Sequence, residues 1–249
     1  VARPAGAQAN AGSSAVVPLV EPLELGRRLG GGRYGEVFAA TAWRSTEVAA
    51  KRLREAPAGA DAGSQQRAEF ERELAVLAKL RHPNVLQLLG LHRRVARDDG
   101  DKEEVLYLVT ELMEGGSLLD LLHREARRVA AAGGGTAEVP HTLQPPALLG
   151  FCLDTATGLG YLHSVGVVHR DLACRNLLVS GERRVKIADF GLARVMEAGA
   201  GGEAHGGGAY VASGGEVAVR WSAPEALARR EFSAASDVWS LGITMWEIL

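Results

Sequence analysis

The chain has 249 residues, 47% of them hydrophobic, enough to bury the core of one large domain or of two lobes. Its 28 Lys and Arg against 30 Asp and Glu leave no basic footprint for nucleic acid, and no block of like charge marks a tail. The two cysteines, Cys152 and Cys174, exclude a disulfide framework or a cysteine quartet for metal; both read as free thiols in a reducing, cytoplasmic setting, of this chain or of the cytoplasmic domain of a larger protein.

Val1 stands where an initiator Met would, and no apolar run approaches the ~18 residues of a membrane span, so the chain reads as a fragment with no span of its own. Residues 1–21, rich in Ala, Gly, Pro and Ser without periodicity, read as a flexible leader. Then comes Gly30-Gly31-Gly32-Arg33-Tyr34-Gly35-Glu36-Val37, whose glycines at 30, 32 and 35 let a backbone turn press against phosphates where a Cβ would clash. A dinucleotide-binding turn of similar spacing needs a helix after its last glycine. Here Glu36 to Ala39 and Glu47 to Lys51 read as two antiparallel strands around a turn at Arg44-Ser45-Thr46. Alone, Lys51 reads as a solvated edge residue; beside the glycine turn it reads as a cation at a phosphate site.

Phe70, Leu74 and Leu77 recur at helical spacing, predicting one amphipathic helix over Ser64 to Leu80. Leu86 to Leu91 and Val105 to Glu111 read as strands, separated by a charged, mobile loop from Arg93 to Glu104. Arg124 to Thr142, where Ala and Gly rise, reads as a surface insertion between helices. Pro145 and Pro146 then open a helix reaching His163, with Leu148, Cys152, Ala156 and Leu159 on its apolar face. The densest stretch follows: His169-Arg170-Asp171-Leu172-Ala173-Cys174-Arg175-Asn176, a polar turn between apolar segments that suits a base and a metal ligand. A second strand ends in Asp189-Phe190-Gly191, and Arg220-Trp221-Ser222-Ala223-Pro224-Glu225 precedes a last apolar helix. That helix offers Val238, Leu241, Met245, Trp246 and Leu249 with nothing later in the chain to cover them.

In this order, these residues resemble the eukaryotic protein kinases, specifically the tyrosine-kinase branch, from about residue 22 to the end. The resemblance implies an α+β, two-lobed fold. A small lobe and hinge over 22–113 would hold a five-stranded antiparallel sheet and one helix; a larger, mainly helical lobe over 114–249 would be incomplete at its C-terminus. It implies ATP and Mg²⁺ as cofactors. Gly30, Gly32 and Gly35 would cover the phosphates, with Val37, Ala49 and Leu178 around the nucleotide. Lys51 would hold the α and β phosphates, oriented by Glu73. Thr110 would guard the back of the pocket, Glu111-Leu112-Met113 would be the hinge, and Ser117 and Asp120 would reach the ribose. Asn176 and Asp189 would hold the metal. Asp171 would accept or orient the proton of the substrate hydroxyl, with Arg175 beside it as a further catalytic residue.

Ala173 and Arg175, with Trp221 ahead of Ser222-Ala223-Pro224-Glu225, follow the tyrosine pattern, so the expected partner is a tyrosine-containing protein segment. Cys174 and Ala218 depart from it, standing where the branch commonly has Ala and Pro. A dual-specificity or serine/threonine kinase stays open as an alternative, as does a pseudokinase scaffold, although Lys51, Asp171 and Asp189 are all present. Tyr210, alone of its kind between Asp189 and Glu225, reads as a regulatory switch whose phosphate would meet Arg170 and Arg194. Its glycine-rich surroundings, Gly199 to Gly215, are expected to be mobile until that happens.

Overall fold

The computed structural model describes residues 17–32, 35–52, 70–98, 101–131, 143–195, 210–211 and 218–249. It opens with β1 (Leu23–Gly32), β2 (Gly35–Ala42) and β3 (Thr46–Arg52), followed by the helical residues 70–77 (α1). Then come β4 (Leu88–Asp98), β5 (Asp101–Glu111), β6 (Gly116–Ser117), α2 (Leu118–Ala131) and α3 (Pro145–Ser164). Short strands follow: β7 (Val167–Val168), β8 (Leu177–Val179), β9 (Val185–Ile187), β10 (Arg194–Val195) and β11 (Tyr210–Val211). The chain closes with α4 (Pro224–Arg229), β12 (Glu231–Phe232) and α5 (Ala234–Ile248).

The first five strands form one antiparallel sheet in the order β1-β2-β3-β5-β4, as the resemblance implies. Alternation along each strand sorts its side chains between two faces. Val48 and Ala50 of β3 join Val105, Tyr107 and Val109 of β5 in an outer core, which leaves Ala49 and Lys51 facing the opposite way. On that inner side Leu108 packs with Phe70 and Leu77 of α1, in a cluster that continues through Phe151, Leu159, Leu172 and Phe190. That second core runs beneath the loop from His169 to Asn176, so the polar loop rests on apolar packing.

Of the expected leader, 1–21, residues 1–16 lie outside the described ones, while Val20 is fully buried in the outer core, its amide and that of Leu91 forming 2.9 Å bonds across a parallel bridge to β4. This close approach needs Gly90, where a Cβ would stand 2.4 Å from the Pro18 carbonyl. Three other sequence expectations change. Residues 93–98 and 101–104 are strand, not loop, because β4 and β5 keep pairing from Arg93↔Leu106 to Asp98↔Asp101. Backbone pairing does not need apolar side chains; Asp99 and Gly100 lie outside the described residues. Arg124 to Ala131 continue α2, as runs of Arg, Glu and Ala favour, while 132–142 lie outside the described residues. In α5, Leu241 and Met245 pack on the main core, whereas Val238, Trp246 and Leu249 are exposed.

One buried carboxylate ties α3 to β9. Asp154 accepts from Arg184 at 2.6 and 2.9 Å and from the Val185 amide at 2.9 Å. Burial pushes its carboxyl up, but the Arg184 and Val185 donors together with Asn84 outweigh this and hold it below 3.8. A depressed carboxyl adds stability that is present above the unfolded value and lost as pH falls through the folded one. Asp154→Ala is therefore expected to cost about 1–3 kcal/mol near neutrality, chiefly through the buried Val185 amide. The gap in thermal midpoint between parent and variant should narrow toward pH 3; a gap independent of pH would contradict this account.

Candidate active site

The inner face of the sheet, the segment after β5 and the loops around β8 and β9 enclose a cleft of about 700 Å³. Gly30 of β1 lines it and leaves open space where a side chain would be. Gly35 starts β2 at φ +130°, with Arg52 O so close that no Cβ would fit. Gly32 pairs with Gly35 across the two strands, and a strand follows rather than a helix. Val37, Ala49, Thr110 and Met113 line the same cleft, with Leu178 opposite on β8. Pairing accounts for the wall, since Val37 is registered with Lys51 and Ala49 with Thr110.

Lys51 crosses to α1, where its Nζ lies 2.6 Å from Glu73 Oε2 and 3.9 Å from Asp189 Oδ1. Glu73 is 6% exposed. Burial raises its carboxyl above 4.5, Lys51 opposes this, and Asp189 adds to the rise. Asp189 itself sits at φ +60°, an uncommon conformation for a non-glycine residue, and its carboxylate remains 31% exposed toward the cleft.

The polar loop is held from several sides. His169, fully buried, accepts at Nδ1 from the Asp171 amide and therefore donates at Nε2 to Ala188 O, 3.0 Å away. Asp171 Oδ1 takes Arg175, and Oδ2 takes Asn176 Nδ2 at 2.8 Å. Because the Asn176 amide nitrogen also donates to Asp171 O at 2.7 Å, its Oδ1 is left as an acceptor, the atom type a hard cation takes. Asn176 and Asp189 both line the cleft, so their donor set fits Mg²⁺, which usually keeps waters and phosphate oxygens as its other ligands. The arrangement therefore sets a lysine ammonium, an amide oxygen and the Asp189 carboxylate in one cleft, with the Asp171 carboxylate beside Asn176.

Ser117 and Asp120 line the mouth, with Ser117 Oγ donating to Asp120 at 2.7 Å. Glu111 closes β5, and its carboxylate takes Lys186 Nζ at 2.7 and 2.8 Å and the Gln87 amide at 2.8 Å, joining that end of β5 to β9. Lys186 gives no warning in the sequence, being one Lys in a short strand. Arg170, at φ +70°, and Arg194 both donate to Leu192 O, at 3.2 and 3.0 Å. The Arg170 guanidinium lies 4.0 Å over the Phe232 ring, and Phe232 is the strand partner of Tyr210. Apart from Tyr210 and Val211, residues 196–217 lie outside the described ones, as do Arg33 and Tyr34. A separate hollow of about 460 Å³, lined by Leu23, His92 and Tyr107, opens on the outer face of the sheet, away from these groups.

A five-stranded lobe over a helical base thus brings the Lys51–Glu73 pair, Asn176 and Asp189 to one cleft, with Asp171 bonded to Asn176 beside it. Residues 23–249 match the family model "Protein tyrosine and serine/threonine kinase", and the chain belongs to that family. It is 38% identical over 224 residues to tyrosine-protein kinase Abl of Drosophila melanogaster, 36% over 231 residues to ephrin type-A receptor 8 of Rattus norvegicus, and 34% over 228 residues to tyrosine-protein kinase Fer of Homo sapiens. These alignments cover 89%, 91% and 91% of this chain but 12%, 53% and 23% of the respective relatives. No helix among the described residues is long and apolar enough to cross a membrane.

Proposed function

We propose that this chain transfers the γ-phosphoryl group of ATP to the hydroxyl of a protein tyrosine, within the cytoplasm or as the cytoplasmic domain of a larger protein. The observation that carries this reading is the convergence of Lys51, Glu73, Asn176 and Asp189 on one cleft, with Asp171 bonded to Asn176 at its edge. Such transfer asks a protein mainly for positioning and for neutralisation of spreading negative charge. Lys51, oriented by Glu73, balances the phosphates, and the glycines of β1 and β2 let backbone approach them. Mg²⁺ held by Asn176 and Asp189 would supply further positive charge there. Asp171 takes the proton of the acceptor hydroxyl as the oxygen bonds to the γ phosphorus, and the bond to the bridging oxygen breaks to leave ADP.

Tyrosine is favoured over serine by the Arg175 guanidinium, which is bonded to Asp171 and lies 4.5 Å over the Trp221 ring, and by Ala173, which has no donor to offer. The names of two of the relatives, tyrosine-protein kinases Abl and Fer, agree. An unbiased peptide library with Mg·ATP tests the reading: phosphate should appear chiefly on tyrosine. Phosphate chiefly on serine and threonine would favour dual specificity, and nucleotide binding without turnover a pseudokinase.

Tyr210 is the proposed switch. A phosphate there adds about −1.5 to −2 charge and could take charge-assisted bonds from Arg170 and Arg194, which meet at Leu192 O. Autophosphorylation is expected to raise peptide turnover more than nucleotide affinity, and Tyr210→Phe to hold it at the basal rate. A Tyr210→Phe variant as active as the phosphorylated parent would remove Tyr210 from the scheme.

A further inference from the structure

Within the apolar α5, polar side chains recur at 237, 240, 244 and 247, steps of three and four that place them on one face. Each is bonded to the polar loop or to Trp221. Asp237 accepts from the amides of His169 at 2.7 Å and Arg170 at 2.9 Å. The Thr244 hydroxyl donates to Leu172 O at 3.3 Å, and that of Ser240 to Trp221 O at 2.8 Å. Glu247 Oε2 accepts twice, from the Cys174 amide at 3.2 Å and from the Trp221 indole N–H at 2.8 Å. Trp221 in turn lies beneath the Arg175 guanidinium, which holds Asp171 Oδ1.

We propose that Glu247 is a positioning residue for phosphoryl transfer, fixing the Trp221–Arg175 stack and, through it, the acceptor-facing carboxylate of Asp171. This rests on the kinase reading for the role of Asp171. One carboxylate oxygen links two segments 47 positions apart, the Cys174 amide in the loop and the Trp221 ring beside it. A carboxylate makes both bonds charge-assisted, and a neutral amide keeps an acceptor while losing that gain. Without any acceptor, the fully buried Cys174 loses its amide's bond and the indole is left to turn. Arg175, 35% exposed, then loses the ring that seats it. Asn176 still holds Oδ2, so Asp171 is misdirected rather than released. None of the Lys51, Glu73 or Glu111 contacts passes through Glu247. The damage should fall on the acceptor side and spare nucleotide binding.

The test uses the 249-residue chain with Glu247→Gln, Glu247→Leu, Trp221→Phe and the double variant Trp221→Phe with Glu247→Gln. Expected is a fall in kcat/KM for a tyrosine peptide of about 10- to 100-fold for Leu and distinctly less for Gln, with ATP affinity within about twofold of the parent. The double variant should be no worse than the poorer single by more than about twofold, because both act on one contact. Hydrogen exchange of residues 171–176 should quicken in Glu247→Leu and stay near the parent's in Glu247→Gln. Nucleotide affinity falling in step with turnover, equal damage from Gln and Leu, or additive effects of the Trp221 and Glu247 changes would each overturn the proposal. If the parent binds nucleotide but phosphorylates nothing, the kinase reading fails, and exchange at 171–176 still decides whether Glu247 orders the loop.

Discussion

Asp171→Asn is expected to lower peptide turnover by at least ~10²-fold, the scale of losing a positioned acid–base group, with nucleotide affinity nearly unchanged. Asparagine keeps the shape of the side chain and an oxygen for Arg175 or Asn176, so the loop's bonds to α5 and to Ala188 survive. What it cannot do is take the hydroxyl proton. Lys51 and Asp189 are untouched by the change, which is why ATP should still bind. Turnover and a nucleotide titration on the same preparation check this, and near-parental turnover would remove Asp171 from its role.

Lys51→Met should be comparably damaging, with turnover down about 10²- to 10³-fold, the range for deleting one preorganised group that stabilises the transition state. A second effect separates it from Asp171→Asn. Glu73 is buried and already raised above 4.5, with Lys51 the group that holds it down. A carboxyl whose folded value is raised keeps its proton longer in the native state, so stability is present below the unfolded value and lost as pH rises through the folded one. Removing the ammonium lifts the folded value further, and the window in which stability falls should move to higher pH. Thermal midpoints of parent and Lys51→Met across pH 4 to 8 test this: parallel curves would mean that the pair is not coupled as the 2.6 Å contact implies.

The nucleotide side of the site was legible because its residues sit at set intervals inside strands and loops that the alternation of side chains makes recognisable. Lys51 and Asp189 each end an apolar run and Asn176 precedes one, and the strand after Gly35 separates this fold from a dinucleotide-binding one. Helical spacing predicts the helix that carries Glu73, while its pairing with Lys51 is what the resemblance implies. Elsewhere composition misled. The charge of residues 93–104 suggests a loop, although the backbone of β4 and β5 carries the pairing there. In the last helix the apolar residues dominate the pattern and mask the stripe of Asp237, Ser240, Thr244 and Glu247, whose steps of three and four are countable in the sequence. Lys186 and Gln87 are beyond reach of the sequence, because the contacts that give them meaning run to Glu111, 75 and 24 positions away.

Both thiols of the chain lie in the main core, Cys152 on α3 and Cys174 beneath the polar loop. Burial pushes both above 9.0, and for Cys174 the neighbouring Glu247 pushes further in the same direction. A thiol-directed reagent, which attacks thiolate, has no purchase on either in the native state. It reacts only when the core around them opens, so the rate of modification measures that opening. Since Cys174 lies under the loop and Cys152 in the helix behind it, following the two sites separately by peptide mass would time the loosening of the loop against that of the lobe. The chain thus carries its own pair of clocks, with no label engineered into it.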